Sequence, residues 1–98
     1  MEKHTPHCKL SVVKDLISQG RFELTYSARL GAKELGLRKS DVVDVILALM
    51  PTDFHKSMTA HNNHGIWQDV YLPHTHVGDV YLKLTVADEV LVVSFKER

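Results

Sequence analysis

The apolar positions change period near Pro51: before it they recur at helical spacing, after it at every second residue. Leu10, Val13, Leu16 and Ile17 mark a first helix, with Gly20 as its stop. Residues 22–25 read as a short edge strand. A second helix spans residues 26–35, with Thr25 as N-cap and Gly36 beyond its end. Ser40 reads as the cap of a third, with Asp41 and Asp44 in its positive first turn, Val42, Val45, Ile46 and Leu49 as its buried stripe, and Pro51 helping to stop it. Four strand-length runs follow at 54–59, 66–72, 79–87 and 90–96, separated by Asn/His/Gly-rich or Asp/Glu turns. In the third run Val80, Leu82, Leu84 and Val86 share one face, and Tyr81, Lys83 and Thr85 the other. In the last, strict alternation makes Leu91, Val93 and Phe95 the core set and puts Val90, Val92, Ser94 and Lys96 opposite. The short link Ala87-Asp88-Glu89 makes the final pair an antiparallel hairpin. The expectation is an α+β fold: N-terminal helices packed on one side of an antiparallel, twisted sheet.

At 98 residues the chain has room for one domain, 1–98, and 44% hydrophobic residues suit a globular one. The single cysteine, Cys8, excludes an internal disulfide framework and a cysteine-rich zinc site within the chain. No apolar run approaches the ~20 residues a membrane helix needs, and MEKHTPHCKL lacks a signal-peptide core. A cytoplasmic protein without membrane attachment is expected. Zero net charge argues against bulk coating of nucleic acid. Residues 1–50 carry eight Lys/Arg against six Asp/Glu, and residues 51–98 four against six, so RNA would need a local basic patch.

Four polar residues interrupt the strand-forming stretches: Lys56, Gln68, Tyr81 and Lys96. Convergence of two lysines, an amide and a phenol on one sheet face supplies the cation, donor and proton-transfer groups that attack on a phosphodiester requires. One lysine could serve as base if a neighbouring ammonium and partial burial lower its pKa; Gln68 cannot titrate and would orient a phosphate oxygen or read a base edge. Taken singly, each has an ordinary explanation: a lysine near a strand end guards an edge, a strand tyrosine packs, and an amide beside Trp67 satisfies buried backbone. Trp67 and Tyr71 are candidate base-stacking rings on one face with Asp69, though a core role suits Trp67 better. His61, His64, His74 and His76 offer a rival acid/base or metal chemistry, with Asp69 as a further ligand.

The stretches MEK-TPH (1–7), DFHKSMT (53–59), IWQDVY (66–71), VYLKLTV (80–86) and VLVVSFKE (90–97) together resemble the MqsR (motility quorum-sensing regulator) toxins. The resemblance covers essentially the whole chain. It implies a RelE-like fold and a ribosome-independent, sequence-selective mRNA endoribonuclease that prefers GC-containing sites such as GCU. It also implies inhibition by an MqsA-like antitoxin with a zinc-binding and a DNA-binding domain, DNA being reached only through that partner. Catalysis without metal or cofactor falls to Lys56, Gln68, Tyr81 and Lys96, and RNA binding to His7, Trp67, Tyr71 and Lys83. His4 stands where the family is expected to carry arginine. The alternative is a non-catalytic antitoxin-binding module acting in a DNA-binding regulatory complex.

Overall fold

The computed structural model describes residues 1–98. Strand β1 (Glu2–Lys3) precedes helix α1 (Leu10–Ser18), strand β2 (Phe22–Leu24), helix α2 (Tyr26–Glu34) and helix α3 (Lys39–Leu47). A 3₁₀ turn (Pro51–Asp53) then leads into β3 (Phe54–Ala60), β4 (Asn63–Tyr71), β5 (His74–Thr75), β6 (Gly78–Val86) and β7 (Val90–Glu97). The seven strands form one sheet in the order β1-β3-β4-β6-β7-β2, with β5 paired to β6. The class is α+β, as the change of period requires. No helix is long and apolar enough to cross a membrane.

Both early helices stop at a glycine with φ of +75°, a backbone conformation that costs other residues their Cβ clearance. After each stop a backbone N–H folds back onto the helix, Arg21 to the Leu16 carbonyl at 2.9 Å and Leu37 to that of Ala32 at 2.9 Å. The N-cap of α3 is Arg38, two residues before the cap expected at Ser40. The reason is Asp41, whose carboxylate accepts the Arg38 N–H at 2.8 Å and so draws the N-terminus back to Arg38. The helices bury Val13, Ile17, Ala28, Ala32, Val42 and Ile46, and the link after α3 buries Leu49, against one face of the sheet. That face contributes Tyr71, Val80, Leu82, Leu84, Val90, Val92 and Phe95. The other face carries no helix and keeps the polar residues of the alternation.

Three features depart from the sequence expectation. The edge strand β2 runs parallel to β7, pairing Phe22 with Val90 and Leu24 with Val92, so the sheet is not wholly antiparallel. β1 adds to the opposite edge through Glu2–Met58 and Lys3–Ser57. The third concerns β7. Lys83 pairs with Ser94 but Leu84 with Val92, which leaves Val93 as an extra, unpaired residue. This β-bulge reverses the alternation halfway along the strand. Val90 and Val92 enter the core instead of Leu91 and Val93, while Phe95 stays buried and Ser94 and Lys96 stay on the open face. Thr25 anchors the bulge: its N–H reaches the Val92 carbonyl at 3.0 Å and its hydroxyl donates to that of Val93 at 2.8 Å. The same hydroxyl oxygen accepts the Ala28 N–H at 3.1 Å as the N-cap of α2.

Helix α2 continues from that cap along β7, and Gly31 is where the two backbones meet. A Cβ at Gly31 would lie 1.9 Å from the Phe95 carbonyl oxygen and 3.4 Å from the Lys96 Cβ. The absent side chain is what lets α2 lie against the strand that presents Lys96.

Candidate active site on the open sheet face

The register places the candidate residues. Lys56 pairs with Val70, Val70 with Lys83 and Lys83 with Ser94, making one cross-strand row over β3, β4, β6 and β7. Partners in register share a face, so Lys56, Lys83 and Ser94 all project from the open side. Two residues along β6, Tyr81 pairs with Lys96, whose Nζ lies 5.2 Å from the phenol ring centroid. Two residues along β4 in the opposite spatial direction, Gln68 pairs with Met58. Because β4 and β6 are antiparallel, Gln68 and Tyr81 stand four residue steps apart along the strands, roughly 13 Å at 3.3 Å per residue. The quartet is therefore a track rather than a cluster. Tyr81 and Lys96 occupy one end, Gln68 the other, and Lys56 with Lys83 the middle.

Lys56 donates to the Glu2 carboxylate at 2.6 Å across the β1–β3 pairing. That hydrogen bond pushes the lysine above its ordinary pKa; partial burial opposes the rise, and the charges of Glu2 and Tyr81 add to it. The shift is opposite to the lowering that would suit a general base, because the neighbour that matters is a carboxylate rather than a second ammonium. Lys56 is a held cation. The same hydrogen bond, then the Lys56 charge, keeps Glu2 below the usual carboxylate range. A lowered carboxylate stabilises the fold above its unfolded pKa and stops doing so as pH falls through the folded one. Amide-exchange protection of β1 should accordingly drop in the wild type as pH is taken below about 4.5. In Glu2→Gln it should be low at neutral pH and show no acid step; an identical acid step in both proteins would assign it to another group.

The remaining candidates lie on the helix side. Trp67 pairs with Thr59 and shares that face with Asp69 and Tyr71. Its ring stacks on His7 (centroids 5.6 Å apart, planes at 17°) and receives the Lys3 ammonium 4.2 Å from its centroid. Lys3 also donates to His7 Nδ1 at 3.0 Å. Asp69, almost fully buried, accepts the backbone N–H of His7 at 3.0 Å and of Cys8 at 3.1 Å, one on each oxygen. The N-terminal arm is thus strapped across the back of the sheet, and neither His7 nor Trp67 meets the quartet. Asp69 is committed to that strap rather than free to ligate a metal. His74 is bonded to Asp79, and no three His, Cys, Asp or Glu side chains converge as ligands.

Tyr71 is a core residue, 1% exposed, packed edge-on against Phe54 with centroids 5.5 Å apart. No strand base can reach its ring. Its hydroxyl is buried without a protein hydrogen-bond partner, and burial, then the charges of Asp69 and Cys8, push its pKa up to about 12. A buried hydroxyl without a partner carries a desolvation cost of roughly 1–3 kcal/mol. Tyr71→Phe should therefore unfold at an equal or higher temperature than the wild type in a calorimetric scan. A clear fall in Tm would mean that the hydroxyl makes a hydrogen bond in solution.

Residues 5–97 match the family model described as "Motility quorum-sensing regulator, toxin of MqsA". The chain belongs to the MqsR toxin family. Among curated relatives, it is similar to the mRNA interferase toxin MqsR of Escherichia coli (strain K12), 53% identical over 98 residues that span the whole of both chains. Alternation alone had already put Tyr81 and Lys83 together. What the linear pattern did not offer was Glu2, 54 residues from the Lys56 it pairs with, or the central position of Lys83. Only the strand register reveals either.

Proposed function

We propose that this protein is the toxin of a toxin–antitoxin pair and acts as an mRNA endoribonuclease on its open sheet face. The observation that carries the reading is the polar track on a helix-free face: Tyr81 under Lys96, with Lys56 and Lys83 in the next row. A single RNA strand lies along it, phosphates against Lys83 and Lys56 and the scissile phosphate beside Tyr81 and Lys96. The ribose 2′-oxygen attacks phosphorus and the bond to the 5′-oxygen breaks. One member of the Tyr81–Lys96 pair takes the 2′ proton, and the other gives its proton to the departing 5′-oxygen. Point charges on flexible lysine stems stabilise the phosphorane. The products are a 2′,3′-cyclic phosphate and a 5′-hydroxyl, and no step needs a metal. Gln68, about 13 Å from Tyr81 along the strands, reads a neighbouring nucleotide, which gives selectivity for GC-containing sites without the ribosome.

The partner is an MqsA-like antitoxin, itself zinc-containing and the only link to DNA, and the toxin works in the cytoplasm. The edge strand β2 is where an antitoxin strand extends the sheet; unchanged amide protection across residues 21–25 on complex formation would refute this placement. The test of function is cleavage of a defined single-stranded RNA with GC sites, in EDTA, with product ends mapped. Cuts at GC sites ending in 2′,3′-cyclic phosphate support the reading. No cleavage by folded protein would favour an antitoxin-binding module, and cleavage blocked by EDTA would move the chemistry to the histidines.

A further inference from the structure

We propose that the groove between α2 and β7 is a second nucleotide subsite, which holds the base next to the scissile position on the Lys96 side. The proposal rests on reading the open face as the RNA-cleaving site. Ser27, Leu30, Gly31 and Glu34 fall at i, i+3, i+4 and i+7, one stripe of the helix. They line a groove of about 330 Å³ whose far wall is Ser94–Lys96. The groove is thus continuous with the candidate active site through Lys96. The missing side chain of Gly31 sets its depth, since the helix there touches the Phe95 carbonyl.

Apolar surface that the fold does not use runs from Leu30 in this groove toward the start of α2. Tyr26 is 80% exposed and Leu30, one turn on, 44%, while Ala28 and Ala32 supply the contact with the core. An exposed aromatic one turn from the groove is a platform on which any base can stack. Glu34 at the other end of the stripe is acceptor-only when ionised. A carboxylate repels phosphate but pairs with an exocyclic amine on a base edge. Chemically, then, the groove takes a base that bears an amino group and disfavours uracil, with the phosphate held by Lys96 outside it.

Binding and cleavage test this separately. Affinity is measured by fluorescence anisotropy with single-stranded RNA carrying a 2′-deoxy substitution at the scissile nucleotide, which cannot be cut by the 2′-oxygen. The flanking base on each side is varied in turn. Tyr26→Ala should weaken binding about tenfold, the order expected for losing one base–aromatic stack, and Tyr26→Phe should restore it. Glu34→Ala should erase the discrimination against uracil at one flanking position. On cleavable RNA both should raise KM and leave kcat within about twofold. Unaltered affinity and base preference in both variants would overturn the subsite. So would loss of antitoxin affinity with RNA binding intact, which would make this a protein-docking surface. A wild type that binds RNA through Tyr26 and Glu34 but never cleaves it would overturn the catalytic reading and leave the subsite standing.

Discussion

Lys96→Ala is expected to lower the cleavage rate of single-stranded RNA by a factor on the order of 10²–10³, with thermal unfolding unchanged. The magnitude is that of removing one preorganised charge from a phosphorane-like transition state. Lys96 is exposed near the end of β7 and makes no salt bridge within the chain, so its loss costs the fold little. Lys96→Arg should recover only part of the rate, because a planar guanidinium replaces a compact, mobile point charge. Tyr81→Phe keeps the ring beneath Lys96 and removes only the hydroxyl, so it separates proton transfer from positioning. A rate that falls in Tyr81→Phe with KM unchanged assigns the hydroxyl to the transition state. Full activity in both Lys96→Ala and Tyr81→Phe would remove this end of the track from the mechanism.

Gly31→Ala is expected to destabilise the protein by about 1–2 kcal/mol, although helix propensity alone predicts the reverse. Replacing a mid-helix glycine by alanine gains up to about 1 kcal/mol when space allows. Here the new Cβ would stand 1.9 Å from a backbone carbonyl oxygen, which cannot swing aside as a flexible side chain would. Either α2 or the end of β7 must move, an overpacking cost of roughly 1–3 kcal/mol or more, and it outweighs the propensity gain. For a domain of this size the net loss corresponds to a Tm lower by roughly 10 °C. Since the Lys96 Cβ is also within 3.4 Å, the displacement should reduce RNA cleavage along with stability. A Tm at or above that of the wild type would mean that the helix does not lie against β7 in solution.

The helices and the faces of β6 were legible because each element repeats its period over several residues, and burial follows period directly. The open-face positions of Lys56, Gln68, Tyr81, Lys83 and Lys96 were legible for the same reason. How far apart they stand was not, since that depends on strand register, a long-range property. β1 was invisible because two polar residues show no periodicity. Its pairing with Met58 and Ser57 is set by contacts far along the chain. Trp67 was ambiguous for a physical reason: a ring flanked by His7 and Lys3 is neither core nor free. The alternation of β7 misled because a run of valines and leucine fits either face, and the residue that breaks the tie, Thr25, lies on another element.

The extra residue at Val93 has a consequence for how this toxin can vary. If β7 paired regularly from Leu84–Val92 onward, Lys96 would come opposite Val80 in the core, and Phe95 would come opposite Tyr81. Closing the bulge without removing a residue would thus exchange a buried aromatic for a charge without altering a single side chain's identity. Removing Val93 itself leaves Ser94 opposite Lys83 and Lys96 opposite Tyr81 and should be forgiven, whereas an extra residue inserted between Phe95 and Lys96 should not. Deletions and insertions scanned along β7 would show that the strand has one residue to spare at Val93 and none beyond it.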